Sequence, residues 1–341
     1  MHKQVSEILD GIYELKLYQD TNEIRVFLVL GVNGQRSLLI DTGYNTEENR
    51  GILNEVLGEL NIKHQDLDVF LTHKHHDHTG MASYLAEQGA TIYMNPLEDR
   101  HPYDCLYYSQ GSKSIEEQAK VLKRVGVTEE RTPQVWNCFK EFNAYYQNTI
   151  SEEAFRTVAF PYTPISRGQI FTYGDYTFQA ISLAGHTLGQ LGLYDQAHHI
   201  VFSGDHIIRN IVPIVGTSYL NEHLLEQYLR TMDQFKAQYR TCTIYPAHGE
   251  CFSNAGPIAA NITSAYRKKL LDIQHILTNS AEALTVQEVA FRLYGVYNMP
   301  SDITSFFKIK SILSKTFSCL EYLYDQQYCQ RMEQDGMMFY R

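Results

Sequence analysis

The run Thr72-His73-Lys74-His75-His76-Asp77-His78-Thr79-Gly80 concentrates four of the chain's 14 histidines, with one aspartate, between positions 73 and 78. Protonated imidazoles this close repel one another, whereas neutral imidazoles offer lone pairs to a metal ion. Three later pieces each supply one more donor: His186 in Leu183-Ala184-Gly185-His186-Thr187-Leu188-Gly189, Asp205 in Phe202-Ser203-Gly204-Asp205-His206, and His248 in Tyr245-Pro246-Ala247-His248-Gly249. Each follows a short apolar run and is flanked by glycine or another small residue. A strand end holds the donor rigidly, and glycine lets the backbone close around an ion. The chemistry such a cluster suits is hydrolysis by metal-activated water. A serine triad is disfavoured, because no Gly-x-Ser-x-Gly is present and the histidines are committed to metal. His76 is expected to point away, His206 to take a role other than ligand, and Tyr44 is a candidate for the mouth of the site.

The elements that must position these residues alternate between strand and helix. Residues 24–30 and 36–40 are apolar and β-branched around Asn33-Gly34, a hairpin signal, and the second strand ends at Asp41-Thr42-Gly43. Residues 47–60 place Ile52, Leu53, Val56, Leu57 and Leu60 at helical spacing. A strand at 67–71 runs into the histidine cluster, followed by a helix from Gly80 to Gln88 and a strand at 90–94. Further strands are expected at 177–183, 190–194, 199–203 and 243–245, with helices at 219–239 and 257–277. This rhythm implies helices packed on sheet faces.

Two regions depart from it. Residues 97–165 contain a helix at 115–125 and the aromatics Tyr103, Tyr107, Tyr108, Trp136, Phe139, Phe142, Tyr145, Tyr146 and Phe155, with eight Lys/Arg against ten Asp/Glu. That composition suits an inserted cap or a second small core. As a cap, it would cover the site and select an apolar acyl group. Near the C-terminus, Thr285 and Glu288 form a capping box, Gly295 stops that helix, a long helix covers 303–324, and 328–340 reads as a hairpin turning at Asp335-Gly336. Helices followed by a hairpin outline a winged helix. The expected division is therefore 1–279 for the catalytic domain, including the 97–165 insertion, and 280–341 for the winged helix.

With 341 residues, 44% of them hydrophobic, the chain can bury a large core and is neither a fibrous repeat nor a disordered tail. Its 39 acidic against 29 basic residues, net charge −10, give no general reason to wrap nucleic acid. The six cysteines include no Cys-x-x-Cys pair, no run of signal-peptide length follows Met1, and no stretch approaches ~20 apolar residues. A cytoplasmic protein with no membrane partner is expected.

These motifs together resemble the metallo-β-lactamase superfamily. The His-x-His-x-Asp-His signature matches His73, His75, Asp77 and His78, the later metal motifs match His186, Asp205 and His248, and the Asp-Thr-Gly motif matches Asp41. Five motifs in order are far more specific than one. The resemblance implies an α/β fold, the αββα sandwich, with metals at one edge. It places His73, His75 and His186 on a first metal, Asp77, His78 and His248 on a second, and Asp205 between them. Three nitrogens suit a zinc ion with an open position, and mixed nitrogen and oxygen donors suit the other ion. Zinc fits best, with iron or manganese able to occupy similar sites. Asp41 is expected behind the ligands, fixing an imidazole or its loop. Asp77 and Asp205 are the candidate catalytic carboxylates.

Departures within the superfamily narrow the reading. True β-lactamases generally lack the bridging aspartate that Asp205 matches. Flavin-coupled relatives carry a glutamate at the position of His75, and lactonases a tyrosine at that of Ile208. The subgroup named after the human lactamase-β-like protein 2 is most similar, with its Ser-Gly-Asp-His segment, its long helix and its C-terminal winged helix. It implies a thioesterase-like hydrolase that cleaves a small-molecule ester or thioester by attack of a metal-bridging hydroxide. The alternatives are a metal-dependent endoribonuclease or phosphodiesterase, and a non-catalytic metal-bearing regulator. The 280–341 tail carries six Lys/Arg against seven Asp/Glu, Lys308, Lys310 and Lys315 among them, so nucleic acid is not the expected partner. Phe306, Phe307, Ile309, Leu313 and Phe317 supply apolar surface for a core and a homodimer contact.

Overall fold

The computed structural model describes residues 2–32, 34–100, 111–149, 160–217, 219–296 and 303–341. The chain divides into two compact units, one of residues 1–100, 152–213 and 231–260, the other of 101–151, 214–230 and 261–341.

The first unit is built on two sheets. Strands β1 (Val5–Leu9), β2 (Ile12–Gln19), β3 (Asn22–Val29), β4 (Ser37–Ile40), β5 (Leu67–Phe70), β6 (Thr91–Met94) and β7 (Thr163–Pro164) lie side by side in chain order. Pairing is antiparallel through β4 and parallel from β4 to β7. The second sheet runs β13-β12-β11-β10-β9-β8, from β8 (Ile170–Tyr173), β9 (Tyr176–Ser182), β10 (Leu191–Asp195), β11 (Ile200–Gly204), β12 (Thr243–Pro246) and β13 (Phe252–Ser253).

Strand side chains alternate between faces, and on the first sheet both faces are buried, which is why β3 to β5 read as nearly unbroken apolar runs. Phe27, Val29, Leu38, Ile40 and Phe70 face Phe178, Leu191, Leu193, Phe202 and Tyr245 of the second sheet. On the other side, Leu15, Val26, Leu28, Leu39 and Val69 pack with Ile52, Leu53, Val56 and Leu57 of α1 (Glu47–Glu59). Thr46 starts that helix by accepting a hydrogen bond from the Asn49 N–H. On the outer side of the second sheet Tyr194 meets Tyr239, 5.1 Å between ring centres, just past helix α6 (Leu224–Ala237). The result is an α/β sandwich of the expected kind. Truncating Phe202, 1% exposed between the sheets, to alanine would cost about 3–5 kcal/mol.

This topology places the candidate donors together. β4 ends just before Asp41, β5 before His73, β9 before His186, β11 before Asp205 and β12 before His248. β4 and β5 are parallel, as are β11 and β12, and β9 is antiparallel to β10, which is antiparallel to β11. Each donor thus leaves the carboxyl end of its strand. The expected 80–88 helix is α3 (Ala82–Glu87), and an unanticipated single turn, α2 (His76–Thr79), precedes it. Gly80 lies between them, where a Cβ would come 2.4 Å from the Gly43 carbonyl oxygen. Strands β1 and β2 were not anticipated. The Asn33-Gly34 turn falls partly outside the described residues, since Asn33 is not among them.

The second unit contains α4 (Gly111–Arg124), α5 (Pro133–Thr149), β14 (Leu284–Thr285), α8 (Val286–Tyr294), α9 (Ile303–Asp325), β15 (Arg331–Gln334) and β16 (Met337–Tyr340). It also takes residues from α6 and from α7 (Ala255–Thr278). Both halves of the Thr285/Glu288 capping box form, and Gly295 ends α8 in the left-handed conformation. The hairpin turns at Asp335-Gly336, and β16 pairs with both β14 and β15.

The expected break at 279/280 does not coincide with the division into units. Phe142 of α5 packs on Phe306 and Phe307 at 5.3 and 4.8 Å, and the Gln287 N–H donates to the Val125 carbonyl. Phe139 and Phe142, 2% and 0% exposed, are therefore internal packing residues of this unit. Tyr103, Tyr107, Tyr108 and Phe155 lie outside the described residues, and so do the side chains of Tyr145 and Tyr146. Among the described residues no helix is long and apolar enough to cross a membrane.

Candidate metal centre

All seven sequence-derived donors converge in the first unit, as two sets that share Asp205: His73, His75, His186 and Asp205, and Asp77, His78, His248 and Asp205. In the first set His75 Nδ1 lies 2.9 Å from His73 Nε2 and 3.0 Å from His186 Nε2, which lies 3.7 Å from Asp205 Oδ2. In the second, His248 Nε2 is 3.2 Å from Asp77 Oδ2 and 3.4 Å from Asp205 Oδ1. His78 Nε2 is 3.4 Å from Asp205 Oδ1 and 3.8 Å from Asp77 Oδ2.

These spacings fit divalent cations. Metal–nitrogen bonds of about 2.0–2.1 Å at tetrahedral angles set donors roughly 3.3 Å apart. Two buried atoms within the second set, His78 Nε2 and Asp205 Oδ1, have no hydrogen-bond partner. A polar atom left so is costly unless something else satisfies it. Asp205 contributes one oxygen to each set, the position expected of a bridge.

Neighbours fix which nitrogen faces inward. The Asp41 carboxylate accepts from the Thr72 N–H at 2.8 Å, from the Thr72 hydroxyl at 2.9 Å and from His78 Nδ1 at 2.8 Å. The Thr72 hydroxyl in turn accepts from His73 Nδ1 at 3.1 Å. One carboxylate thus orients an imidazole of each set, directly and through a hydroxyl, leaving both Nε2 atoms with lone pairs inward. Asp41 does this from a left-handed backbone, φ 59°. Thr42 anchors the helix that carries His78, accepting from the Met81 N–H while its hydroxyl donates to the His78 carbonyl. His248 Nδ1 donates to the Glu23 carbonyl at 2.7 Å, and the Arg25 N–H donates to the Ala247 carbonyl. Arg25, 4% exposed, is matched by Glu14 and Glu250.

Electrostatics separates the sets. Burial first, then neighbouring imidazoles, pushes His73 well below the usual histidine value and His75 down to about 3. Burial also opposes charge on His78, yet Asp41, Asp77 and Asp205 outweigh it and raise His78 well above its usual value. His248 is raised too, burial being outweighed by Asp205 and Asp77. Burial likewise opposes charge on the two aspartates, but the surrounding imidazoles hold Asp77 and Asp205 well below the carboxylate range.

His76 belongs to neither set and packs its ring on Tyr44 at 5.5 Å. Tyr44 itself is 6% exposed within the sheet–helix core. His206 is fully buried, with Nε2 2.6 Å from the Thr231 hydroxyl, and burial lowers it to about 3.

Sequence reasoning missed the roles of Thr72, Glu23 and Glu98. Glu98, read as the start of the insertion, is 2% exposed and ties the site's loops together. Its Oε2 accepts from the Lys74 N–H at 2.8 Å, and its Oε1 from the Thr187 hydroxyl at 2.8 Å and the Gly189 N–H at 2.6 Å. Asn95 adds a bond to the Gly189 carbonyl at 2.8 Å. The one local sign is Asn95-Pro96, which caps and starts the short turn Pro96–Asp99 that presents Glu98.

A model of the metallo-beta-lactamase superfamily matches residues 23–248, and the chain belongs to that superfamily. It is similar to the lactamase-like protein notP of Aspergillus sp. (strain MF297-2), 25% identical over 282 residues, which are 78% of this chain and 65% of that protein. It is also similar to the probable metallo-hydrolase YqjP of Bacillus subtilis (strain 168), 21% identical over 278 residues, 78% of this chain and 80% of that one. A solved metallo-beta-lactamase family protein of Thermus thermophilus shares the fold with a TM-score of 0.74 at 20% identity, over 98% of this chain and 99% of that one.

Proposed function

We propose that this protein is a dinuclear-metal hydrolase that cleaves an ester or thioester of a small molecule. The observation that carries the reading is the division of Asp205, with Oδ2 in a set of three imidazole nitrogens and Oδ1 in a set with Asp77, His78 and His248. His73, His75 and His186 would hold one cation, Asp77, His78 and His248 the other, and Asp205 both. When bound, such a pair acidifies water near neutral pH and polarises a carbonyl, so nucleophile and Lewis acid stand side by side.

The chain's own residues do the rest. Asp41 and Thr72 keep His78 and His73 in the tautomers that present Nε2 inward. Asp77 is the carboxylate placed to hold or pass on the proton of an attacking water, since Asp205 has both oxygens committed. Zinc suits the donor set, with iron or manganese as substitutes. A small neutral or acidic-tolerant substrate is favoured over a polyanion, because acidic residues outnumber basic ones by 39 to 29 and Arg25 beside the His248 strand is already matched by Glu14 and Glu250. The finer placement in the lactamase-β-like protein 2 subgroup, with a winged-helix tail, belongs to this proposal; the order β14, α8, α9, β15 and β16 supports it.

Elemental analysis of protein purified without chelator should give close to two transition-metal ions per chain. Asp205→Asn should lower that content and remove most hydrolysis of aryl ester and acyl-thioester probes. Unchanged metal content and turnover in this variant would reject the bridge. Cleavage of structured RNA in preference to every ester and thioester tried would reject the substrate class.

A further inference from the structure

We propose that Glu98 is the positioning residue that locks the His73–His75 loop to the His186 loop and so sets the affinity of the first donor set. This rests on reading the two sets as cation sites. The two loops come from strands of different sheets, β5 and β9, and their donors lie 113 residues apart in sequence, from 73 to 186. The Leu191 N–H donates to the Thr72 carbonyl at 2.9 Å and joins the strands beside the site; something must also hold the loops themselves in register.

One buried carboxylate does so. It takes the N–H of Lys74, between His73 and His75, on one oxygen, and on the other the hydroxyl of Thr187, next to His186, with the N–H of Gly189. Three donors in convergent directions are more than an amide or a hydroxyl can accept, because an amide turns one of its two ends into a donor. Glycine is required opposite it: a Cβ on residue 189 would lie 2.8 Å from Glu98 Oε1 and 3.0 Å from the Glu98 nitrogen. Glu98 has no place in either donor set, so it acts only through the geometry of His73, His75 and His186. The second set has different supports, so the effect should be confined to the first.

The test uses the full chain and zinc titrated against a chromogenic chelator. In wild type two zinc ions should bind. Glu98→Gln keeps the size and puts an N–H₂ against a backbone N–H. In a His248→Ala background, which leaves the first set intact, it should weaken the remaining site about ten- to hundred-fold. In a His73→Ala background, which leaves the second set, it should change affinity less than about two-fold. Thr187→Val, which removes one of the three donors and keeps the charge, guards against misfolding and should weaken the first site several-fold. Equal loss in both backgrounds, or none in either, would overturn the proposal with the dinuclear reading intact. Fewer than two zinc ions in wild type would instead overturn that reading.

Discussion

The two donor sets lie side by side and are built by opposite means. The first is rich in nitrogen, and burial with crowded imidazoles lowers His73 and His75; the second has two carboxylates, which raise His78 and His248. Their supports differ as well. The first leans on one distant side chain, Glu98, bridging two loops. In the second, His248 leans on strand β3, through the Glu23 carbonyl and the backbone N–H of Arg25, and His78 on Asp41. Side-chain support is open to substitution one atom at a time, whereas a strand's carbonyl is fixed by the whole sheet. The difference teaches that two donor sets sharing one carboxylate need not share one fate when the protein is altered. Asp205 and the Asp41–Thr72 pair touch both, and the rings of His73 and His78 meet with centres 3.9 Å apart.

The largest effect should follow Asp41→Asn. Asparagine tolerates the left-handed backbone at this position, so the variant isolates the lost charge. Because Asp41 orients His78 directly and His73 through Thr72, zinc affinity should fall about ten- to hundred-fold at both sets. Equilibrium dialysis in the two histidine backgrounds reads each separately. Loss confined to the His78 side would show that the Thr72 relay carries little.

Arg25→Met should come next and sharpen the contrast. It takes the guanidinium from Glu14 and releases Glu250, two residues past His248, while the β3 backbone bonds stay, at a cost of about 3 kcal/mol in unfolding free energy, with the second site weakened slightly and the first kept. Denaturation in urea and zinc titration measure the two parts. A first site weakened as much as the second would erase the distinction between supports.

The smallest effect concerns pH. Burial, only partly offset by Lys74 and the three donors, raises the Glu98 carboxyl above its ordinary 4.5. A group whose folded value exceeds its unfolded one adds stability that is fully present below the unfolded value and is lost as pH rises through the folded one. In chelator-treated protein, the stability of wild type relative to Glu98→Gln should therefore decline as pH climbs above the ordinary glutamate value. A difference that stays flat over that range would refute this account of the buried carboxyl.

How much of this was legible in the sequence depends on distance along the chain. His73, His75, Asp77 and His78 announce themselves within six residues, and His186, Asp205 and His248 by the apolar run and glycine around each. Asp41 was readable because it closes a strand. Thr72 stood in the quoted run, but its hydroxyl relay needs the rotamer of His73. Glu98 contacts residues 24 and 91 positions away, and no periodicity records that. The Glu23 carbonyl leaves no trace, since every residue has one. Among the elements, β2 went unread because Tyr13, Glu14 and Leu15 are all buried and blur the alternation a strand should show. Helix α5 hides behind its aromatic composition, although Pro133 sits at its first turn.

The interleaving of the two units bears on how the protein is made. The chain passes from one unit to the other at 100/101, 151/152, 213/214, 230/231 and 260/261. During synthesis neither unit can finish as an early, self-contained piece. The first waits for residue 260, and the second, begun at 101, for strand β16 near the end. Such distant pairings slow folding and leave sheet edges exposed meanwhile. A nascent chain stalled at residue 279 would hold all seven candidate donors and yet lack Phe306 and Phe307, which pack on Phe139 and Phe142, so apolar surface would stay open to solvent.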